Sequence, residues 1–132
     1  MIDNYIEAWN SHDIDAILGF FDEDCQYEDE ALRKVMVGHD QLRQFFETMY
    51  RAFSNLSFEV VSVFQATDCI AWEWIMAGNY SGVGNSGLAP TGRAMRVRGA
   101  SITEFKKDRI IRNTDYWNMA RMMRQLDGSE SI

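Results

Sequence analysis

The chain of 132 residues has the length of one domain, and its 46% hydrophobic and 25% charged residues are the balance of a folded globular protein. Thirteen Lys and Arg residues against twenty Asp and Glu residues give a net charge of -7, which argues against nucleic acid and against a membrane surface as partners. No apolar run approaches the roughly 18 residues of a membrane span, and the first residues lack the regions of a signal peptide, so we expect a cytoplasmic protein.

Three helices are predicted in the first half of the chain from apolar residues spaced three or four apart. The first covers residues 3–9, and the second begins after the capping residue Asp13, with a stripe that runs to Phe21 before the acidic residues 22–24. The third begins at Gly38. Its apolar side is formed by Leu42, Phe45, Phe46, Met49 and Phe53.

Strands dominate the rest of the chain. A short strand is predicted over residues 25–29, and residues 30–37 are expected to be irregular. Alternating apolar residues then predict four long strands over residues 56–66, 69–80, 93–106 and 109–117. Adjacent valines in the first of these predict a β-bulge. Residues 81–92, which hold four of the nine glycines and the only proline, are expected to form a mobile loop.

Helices followed by hairpin-connected strands predict an α+β fold, with N-terminal helices on one face of a mostly antiparallel sheet and a short C-terminal helix. We expect one domain over residues 1–127 and a disordered tail over residues 128–132. In the long strand over residues 69–80, alternation places Trp72, Trp74 and Met76 on one face, which suits either an internal core or a dimer interface.

Ligand patterns for metals and nucleotides are missing. Cys25 and Cys69 are too few for a disulfide framework, and His12 and His39 each stand without a neighbouring ligand. Neither a glycine-rich phosphate loop nor a Gly-x-Ser-x-Gly motif occurs. We therefore expect neither a metal nor a cofactor.

Motifs along most of the chain resemble a known superfamily. Ala-Trp-Asn-Ser-His-Asp at residues 8–13 and Tyr-Glu-Asp at residues 27–29 are similar to the opening of the cystatin-like, cone-shaped fold of nuclear transport factor 2 and ketosteroid isomerase. Gly-x-Tyr-Ser-Gly at residues 78–82, Ala-Pro-Thr-Gly-Arg at residues 89–93 and Asp-Tyr-Trp-Asn at residues 115–118 resemble SnoaL-like polyketide cyclases. The resemblance implies a strongly curved, mixed sheet that encloses an apolar cavity with the helices.

The resemblance nominates three catalytic residues. Asp115 matches the acid/base of the cyclases, and alternation puts it on the same face as Asn113 and Trp117; a strand-end Asp could instead cap the last helix or pair with an arginine. Asp29 matches the proton-shuttling aspartate of ketosteroid isomerase, with turn capping as the alternative. Tyr5 matches the tyrosine of that enzyme that stabilises an oxyanion, and packing on the core is the other interpretation.

Further residues are expected to bind the substrate. The cavity wall is assigned to Trp9, Tyr27, Phe46, Met49 and Trp117. Glu73 is either a further acid of the pocket or a cross-strand partner of an arginine. Ser101 falls near the position of the second oxyanion donor of ketosteroid isomerase, which is an aspartic acid in that enzyme. Because a serine is a weaker donor, the resemblance to a steroid isomerase is less complete.

The expected function is therefore that of a small enzyme without a cofactor. It would abstract a proton next to the carbonyl of a hydrophobic ketone or ester, and cyclisation or isomerisation would follow. A non-catalytic module for ligand binding or dimerisation is one alternative. Water addition to an epoxide is another, although the Arg-x-Asp pair of limonene epoxide hydrolase is missing from residues 72–75. The expected partners are a hydrophobic small molecule and a second copy of the chain.

Overall fold

The computed structural model describes residues 1–82 and 91–132, so most of the expected loop over residues 81–92 lies outside the described residues. Helices and strands follow one another in the order α1 (Ile2–Ser11), α2 (Ile14–Leu18), β1 (Phe21–Asp29), β2 (Lys34–Val37), α3 (Gly38–Ala52), β3 (Ser57–Gln65), β4 (Cys69–Asn79), β5 (Ala94–Lys106), β6 (Arg109–Trp117) and α4 (Met119–Asp127). None of these helices is long and apolar enough to cross a membrane.

The strands form one sheet in the order β2-β1-β6-β5-β4-β3. Only β1 and β6 run parallel among the described pairs, and the other neighbours are antiparallel. This parallel pair joins the first half of the chain to its last strand, because β1 lies between its own hairpin partner and β6. The predicted α+β fold with a mixed, mostly antiparallel sheet is confirmed.

The prediction for residues 19–24 is wrong, because the second helix ends early. α2 ends at Leu18, and β1 begins at Phe21 instead of Cys25. Phe21 is fully buried as a strand residue, and it pairs in the parallel ladder with Ile110 of β6. A long-range strand partner therefore overrides the helical spacing of that side chain.

Residues 30–37 are also more regular than expected. The four residues Lys34–Val37 pair antiparallel with β1 as an edge strand. Met36 faces the core, whereas Val35 and Val37 are exposed on either side of it. An alternation over four residues is too short to predict a strand by itself, and these residues form one because they can pair with β1.

The predicted bulge in the first long strand is confirmed, since the register of β3 against β4 shifts between Val60 and Ser62. The open question on the tryptophan face is also answered. Trp72 and Trp74 are each 5% exposed on the inner face of the sheet, so they belong to the interior.

Side-chain amides fasten two helices to the sheet. Asn10 at the end of α1 donates to the carbonyl of Phe58 and accepts from its backbone N–H, at 3.0 and 2.7 Å. Gln125 of α4 bonds in the same manner to Arg96 of β5, at 2.9 and 3.0 Å. Beyond α4, Glu130 pairs with Arg121 at 2.9 Å, and the expected disorder of residues 128–132 stays a prediction.

Candidate active site

A cavity of about 660 Å³ lies between the inner face of the sheet and helices α1, α3 and α4. Its wall is mainly apolar and aromatic, as is usual for sites that bind small molecules. Six of the eight methionines line it, namely Met36, Met49, Met76, Met119, Met122 and Met123. Because unbranched thioether side chains adapt their shape, this wall can follow the outline of a ligand.

Asp115, which the resemblance nominates as the acid/base, is buried and faces this cavity. It lies on β6, is 7% exposed and accepts three hydrogen bonds. The Tyr27 hydroxyl donates to Oδ2, while the Ser101 hydroxyl at 2.6 Å and the Asn113 amide at 2.8 Å donate to Oδ1. All three donors are neutral, so neither helix capping nor an ion pair with arginine explains this carboxylate.

Strand register brings these groups together. Asp29 on β1, Asp115 on β6 and Ser101 on β5 are direct neighbours across the sheet. Tyr27 and Asn113 form the adjacent pair on β1 and β6. Residues two apart on a strand share a face, so both rows point into the cavity.

One indole orients Ser101 toward the carboxylate. Trp74 Nε1 donates to the Ser101 hydroxyl at 2.8 Å, which leaves the hydroxyl proton to be donated to Asp115. The Trp74 ring lies directly over Gly99, where a Cβ atom would sit 2.3 Å from it. A glycine is therefore required at this point of β5 so that the indole can reach the serine.

A second indole orients Asn113 in the same way. Trp72 Nε1 donates to Thr103 at 3.0 Å, and Thr103 donates to the Asn113 carbonyl oxygen at 2.7 Å. The amide nitrogen of Asn113 then faces Asp115. Chains of hydrogen bonds that run in one direction polarise one another, so both chains present positive hydrogens to the carboxylate.

Burial still decides the acidity of Asp115. Loss of solvent and the nearby charge of Asp29 raise its pKa from 3.8 to about 6, against the opposing effect of the three hydrogen bonds from Ser101, Tyr27 and Asn113. A carboxyl group with this pKa is mostly ionised at neutral pH and can both accept and return a proton.

Asp29 is the second buried acid, at 4% exposure. The Trp117 indole N–H contacts both of its oxygens, at 3.1 and 3.0 Å, and the backbone N–H of Leu32 donates to Oδ1 at 2.9 Å. Burial raises the pKa of Asp29, and these donors oppose the rise. The turn-capping contact expected as the alternative is thus present, and the carboxylate lines the cavity as well.

Tyr5 lies in the cavity wall and is 1% exposed. Burial, followed by the charge of Asp115, raises the pKa of its hydroxyl well above the ordinary value. The Trp9 indole N–H lies beside this hydroxyl and lowers the pKa of Tyr5. This indole N–H makes no hydrogen bond of normal geometry with any group of residues 1–82 and 91–132. Over the same residues, no acceptor takes the hydroxyl proton of Tyr5.

The structure brings most of the expected binding residues to the cavity. Trp9, Tyr27, Met49 and Trp117 line it.

Phe46 and Glu73 lie elsewhere. Phe46 is fully buried behind the wall, against the Trp9 ring at 4.9 Å between centroids, and its neighbour Phe45 lines the cavity instead. Glu73 lies on the outer face of the sheet, where Ser62 donates to it at 2.7 Å and Arg98 approaches to 3.8 Å. Glu73 is therefore a cross-strand partner of Arg98 and not an acid of the pocket.

Sequence reasoning missed the groups that orient the donors to Asp115. Thr103 and the two indoles that orient the polar chains were not assigned to the site, because their roles depend on which strands become neighbours. The methionines of α4 also line the cavity, and nothing in the local sequence indicates that they would do so. For the described part of the chain, no three His, Cys, Asp or Glu side chains gather as metal ligands would.

A curved sheet covered by helices, with a buried aspartate at the base of an apolar cavity, defines the class of ketosteroid isomerase-like proteins. The chain belongs to the SnoaL-like polyketide cyclase family, whose model matches residues 1–126.

A relative that is named as a cyclase matches most of the chain. The chain is 28% identical to cyclase aurE of Calcarisporium arbuscula over 116 residues, which cover 86% of this chain and 82% of that protein. Among solved structures, a ketosteroid isomerase-like protein from Catenulispora acidiphila in complex with trimethylamine has a TM-score of 0.82 at 21% identity, covering 96% of this chain and 91% of that one. IdmH of Streptomyces antibioticus has a TM-score of 0.82 at 18% identity, with 96% and 95% covered. At these identities the two structures show the fold alone.

Proposed function

We propose that the protein is a cyclase or isomerase that acts without a cofactor, in which Asp115 removes a proton next to the carbonyl of a hydrophobic ketone or ester. One observation carries this proposal: a carboxylate faces an apolar cavity and is held only by neutral donors. A cation would suppress the basicity of the group, whereas neutral donors hold it in place and leave it basic.

The proton transfer places charge on the substrate oxygen. The C–H electron pair moves into the carbonyl group to form an enolate, and the proton moves to Asp115. Tyr5 supports this step, because its buried hydroxyl lines the same cavity and its proton has no acceptor in the described part of the chain. A phenol in that position donates to the developing oxyanion.

The bound enolate has two productive outcomes. Its carbon can attack a second carbonyl carbon of the same molecule, which closes a ring, and the resulting alkoxide takes the proton from Asp115. Alternatively the proton returns to a different carbon, which moves the double bond. Asp29, one strand away in the same row, is the second carboxyl group to which the proton can pass.

Deuterium exchange tests the proton step without knowledge of the natural substrate. A naphthyl ketone is incubated with the protein in heavy water, and incorporation next to the carbonyl is followed by mass spectrometry. We expect exchange above the buffer rate in the parent protein and a decrease of about a hundredfold or more in Asp115→Asn. The asparagine can keep all three neighbours, since its amide nitrogen donates to the Tyr27 oxygen.

Glu73→Gln is the matched control, because it removes the same charge from the outer face of the sheet. Its exchange rate should equal that of the parent protein. If Asp115→Asn exchanged the ketone as fast as the parent, Asp115 would have no part in the chemistry. If the ketone bound without exchange even in the parent protein, the protein would be a binding module.

A further inference from the structure

Lys34 is the one cationic side chain that lines the cavity among residues 1–82 and 91–132. It is half-buried on the edge strand β2, and it shares the cavity wall with the exposed residues Gln41 and Gln44. Wall residues that remain exposed mark the opening, so Lys34 lies where a ligand enters.

The Lys34 ammonium group has no ion pair and no hydrogen bond within the described ranges. Six arginines of the described ranges pair with carboxylates, namely Arg43, Arg96, Arg98, Arg112, Arg121 and Arg124, whereas Lys34 does not. Lys34 even has Asp29 as its direct partner across the β1–β2 ladder. The Asp29 carboxylate is instead held by Trp117 and Leu32, which leaves the lysine free.

The sheet sets the distance between this cation and the base. Lys34, Asp29 and Asp115 occupy one row on strands β2, β1 and β6. Two strand spacings separate the outer members of that row, so their Cα atoms lie roughly 10 Å apart. A ligand that contacts both side chains must therefore extend along the row from the opening to the interior.

We infer that the substrate carries a carboxylate group, which Lys34 binds at the opening while the reacting carbonyl lies at Asp115. The inference rests on the proposed function for the position of the carbonyl, and it adds the class of substrate: a hydrophobic keto acid. Asp29 and Asp115 make the interior unfavourable for an anion, so Lys34, the one cation among the described wall residues, is where a carboxylate is attracted. The two acids thereby direct the acidic end of the substrate outward.

Calorimetry with a matched pair of ligands tests the inference. The probes are a naphthyl ketone with a four-carbon chain that ends in a carboxylate, and the methyl ester of the same compound. The parent protein should bind the acid about fivefold more tightly than the ester at low salt. Added salt should reduce this preference, because the lysine is partly exposed to solvent.

Two variants and a control locate the effect. Lys34→Gln should bind the ester at least as tightly as the acid, and Lys34→Arg should retain the preference of the parent protein. Arg33→Gln removes a positive charge at the adjacent position, which does not line the cavity, and should also retain the preference.

Equal binding of acid and ester by the parent protein would overturn the inference, as would an unchanged preference in Lys34→Gln. Deuterium exchange of the bound acid is recorded in the same samples. A Lys34-dependent preference without exchange would support the anion site and refute the proposed chemistry, so the two failures are distinguishable.

Discussion

Asp115 shows how a single carboxylate can be buried without a counter-ion. Its donors Tyr27, Ser101 and Asn113 are neutral, and two of them are oriented by hydrogen bonds that begin at buried indoles. Partial compensation of this kind keeps the group in place but does not restore the solvation it had in water. The part of the desolvation free energy that the hydrogen bonds do not offset raises the pKa of Asp115, and this is the source of its basicity.

The desolvation of Asp115 makes the free energy of unfolding depend on pH. The pKa of Asp115 is about 6 in the folded chain against 3.8 in the unfolded one, so between these values the folded state binds more protons and stability falls as pH rises. Relative to Asp115→Asn, the parent protein should lose roughly 2.4 kcal/mol of unfolding free energy from about pH 4 to about pH 7. Urea denaturation of both proteins across this range measures the difference, and a constant difference would contradict the pKa.

Ser101→Ala isolates one of the donors. The variant removes a hydrogen bond to the carboxylate and leaves the Trp74 N–H without its acceptor. Because that bond favours the charged form, its loss should raise the pKa of Asp115 further. Carbon-13 NMR titration of the aspartate carboxyl groups measures the shift, and Ser62→Ala on the outer face serves as the control. A lower pKa in Ser101→Ala would show that the serine does not stabilise the charged form.

Local alternation was sufficient to predict the face that Asp115 occupies, since residues two apart on β6 share it. It could not predict the partners. Ser101 and Tyr27 lie on strands that are distant in sequence, and the parallel pairing of β1 with β6 decides that they meet. Chain-local spacing contains no information on that register.

At the scale of elements, the Gln125 side chain connects α4 to β5, alongside the buried side chains Met122 and Leu126. β6 stops pairing with β5 at Gly99, and Gln125 occupies the free edge beyond that point by bonding to both backbone groups of Arg96. The helix then places its methionines across one end of the cavity. This contact therefore helps to hold the α4 side of the cavity wall against the sheet.

Gln125→Ala should therefore lower stability and ligand affinity together. The loss of two hydrogen bonds at a residue that is 5% exposed is expected to cost about 1–2 kcal/mol in unfolding free energy. Gln65→Ala, at an exposed position of β3, is the control and should change neither quantity. Thermal denaturation and calorimetry with the naphthyl keto acid provide the two readouts. Unchanged affinity in a destabilised Gln125→Ala would show that α4 does not shape the site.

The sequence predicted the long elements well and the short ones poorly. β4 and β5 contain enough alternating residues to be recognised alone. β2 has four residues, and α2 ends where the strand ladder with β6 begins, so both boundaries are decided by partners. The same limit applies to Phe45 and Phe46, because helical spacing identifies the buried side but does not show which ring borders an empty space.

For the molecule as a whole, the outer face of the sheet is the surface on which we expect a second copy. Phe64, Ile102 and Tyr116 lie on it and are 40 to 68% exposed. Apolar side chains gathered on one sheet face are typical of an interface. Analytical ultracentrifugation should give a dimer for the parent protein and a monomer for Ile102→Lys, whereas Glu47→Lys on α3 should remain dimeric. A monomeric parent protein would contradict the homodimer.

For the whole molecule, the central proposal is that Asp115 acts as an ionised base at the apolar cavity. The rate of deuterium exchange into a bound ketone, measured as a function of pH, tests this most directly. The rate should rise with pH to a plateau, with a midpoint near the pKa of Asp115 at about 6, and it should lose this inflection in Asp115→Asn. A rate that shows no inflection near that pH, or one that the asparagine variant reproduces, would contradict the account.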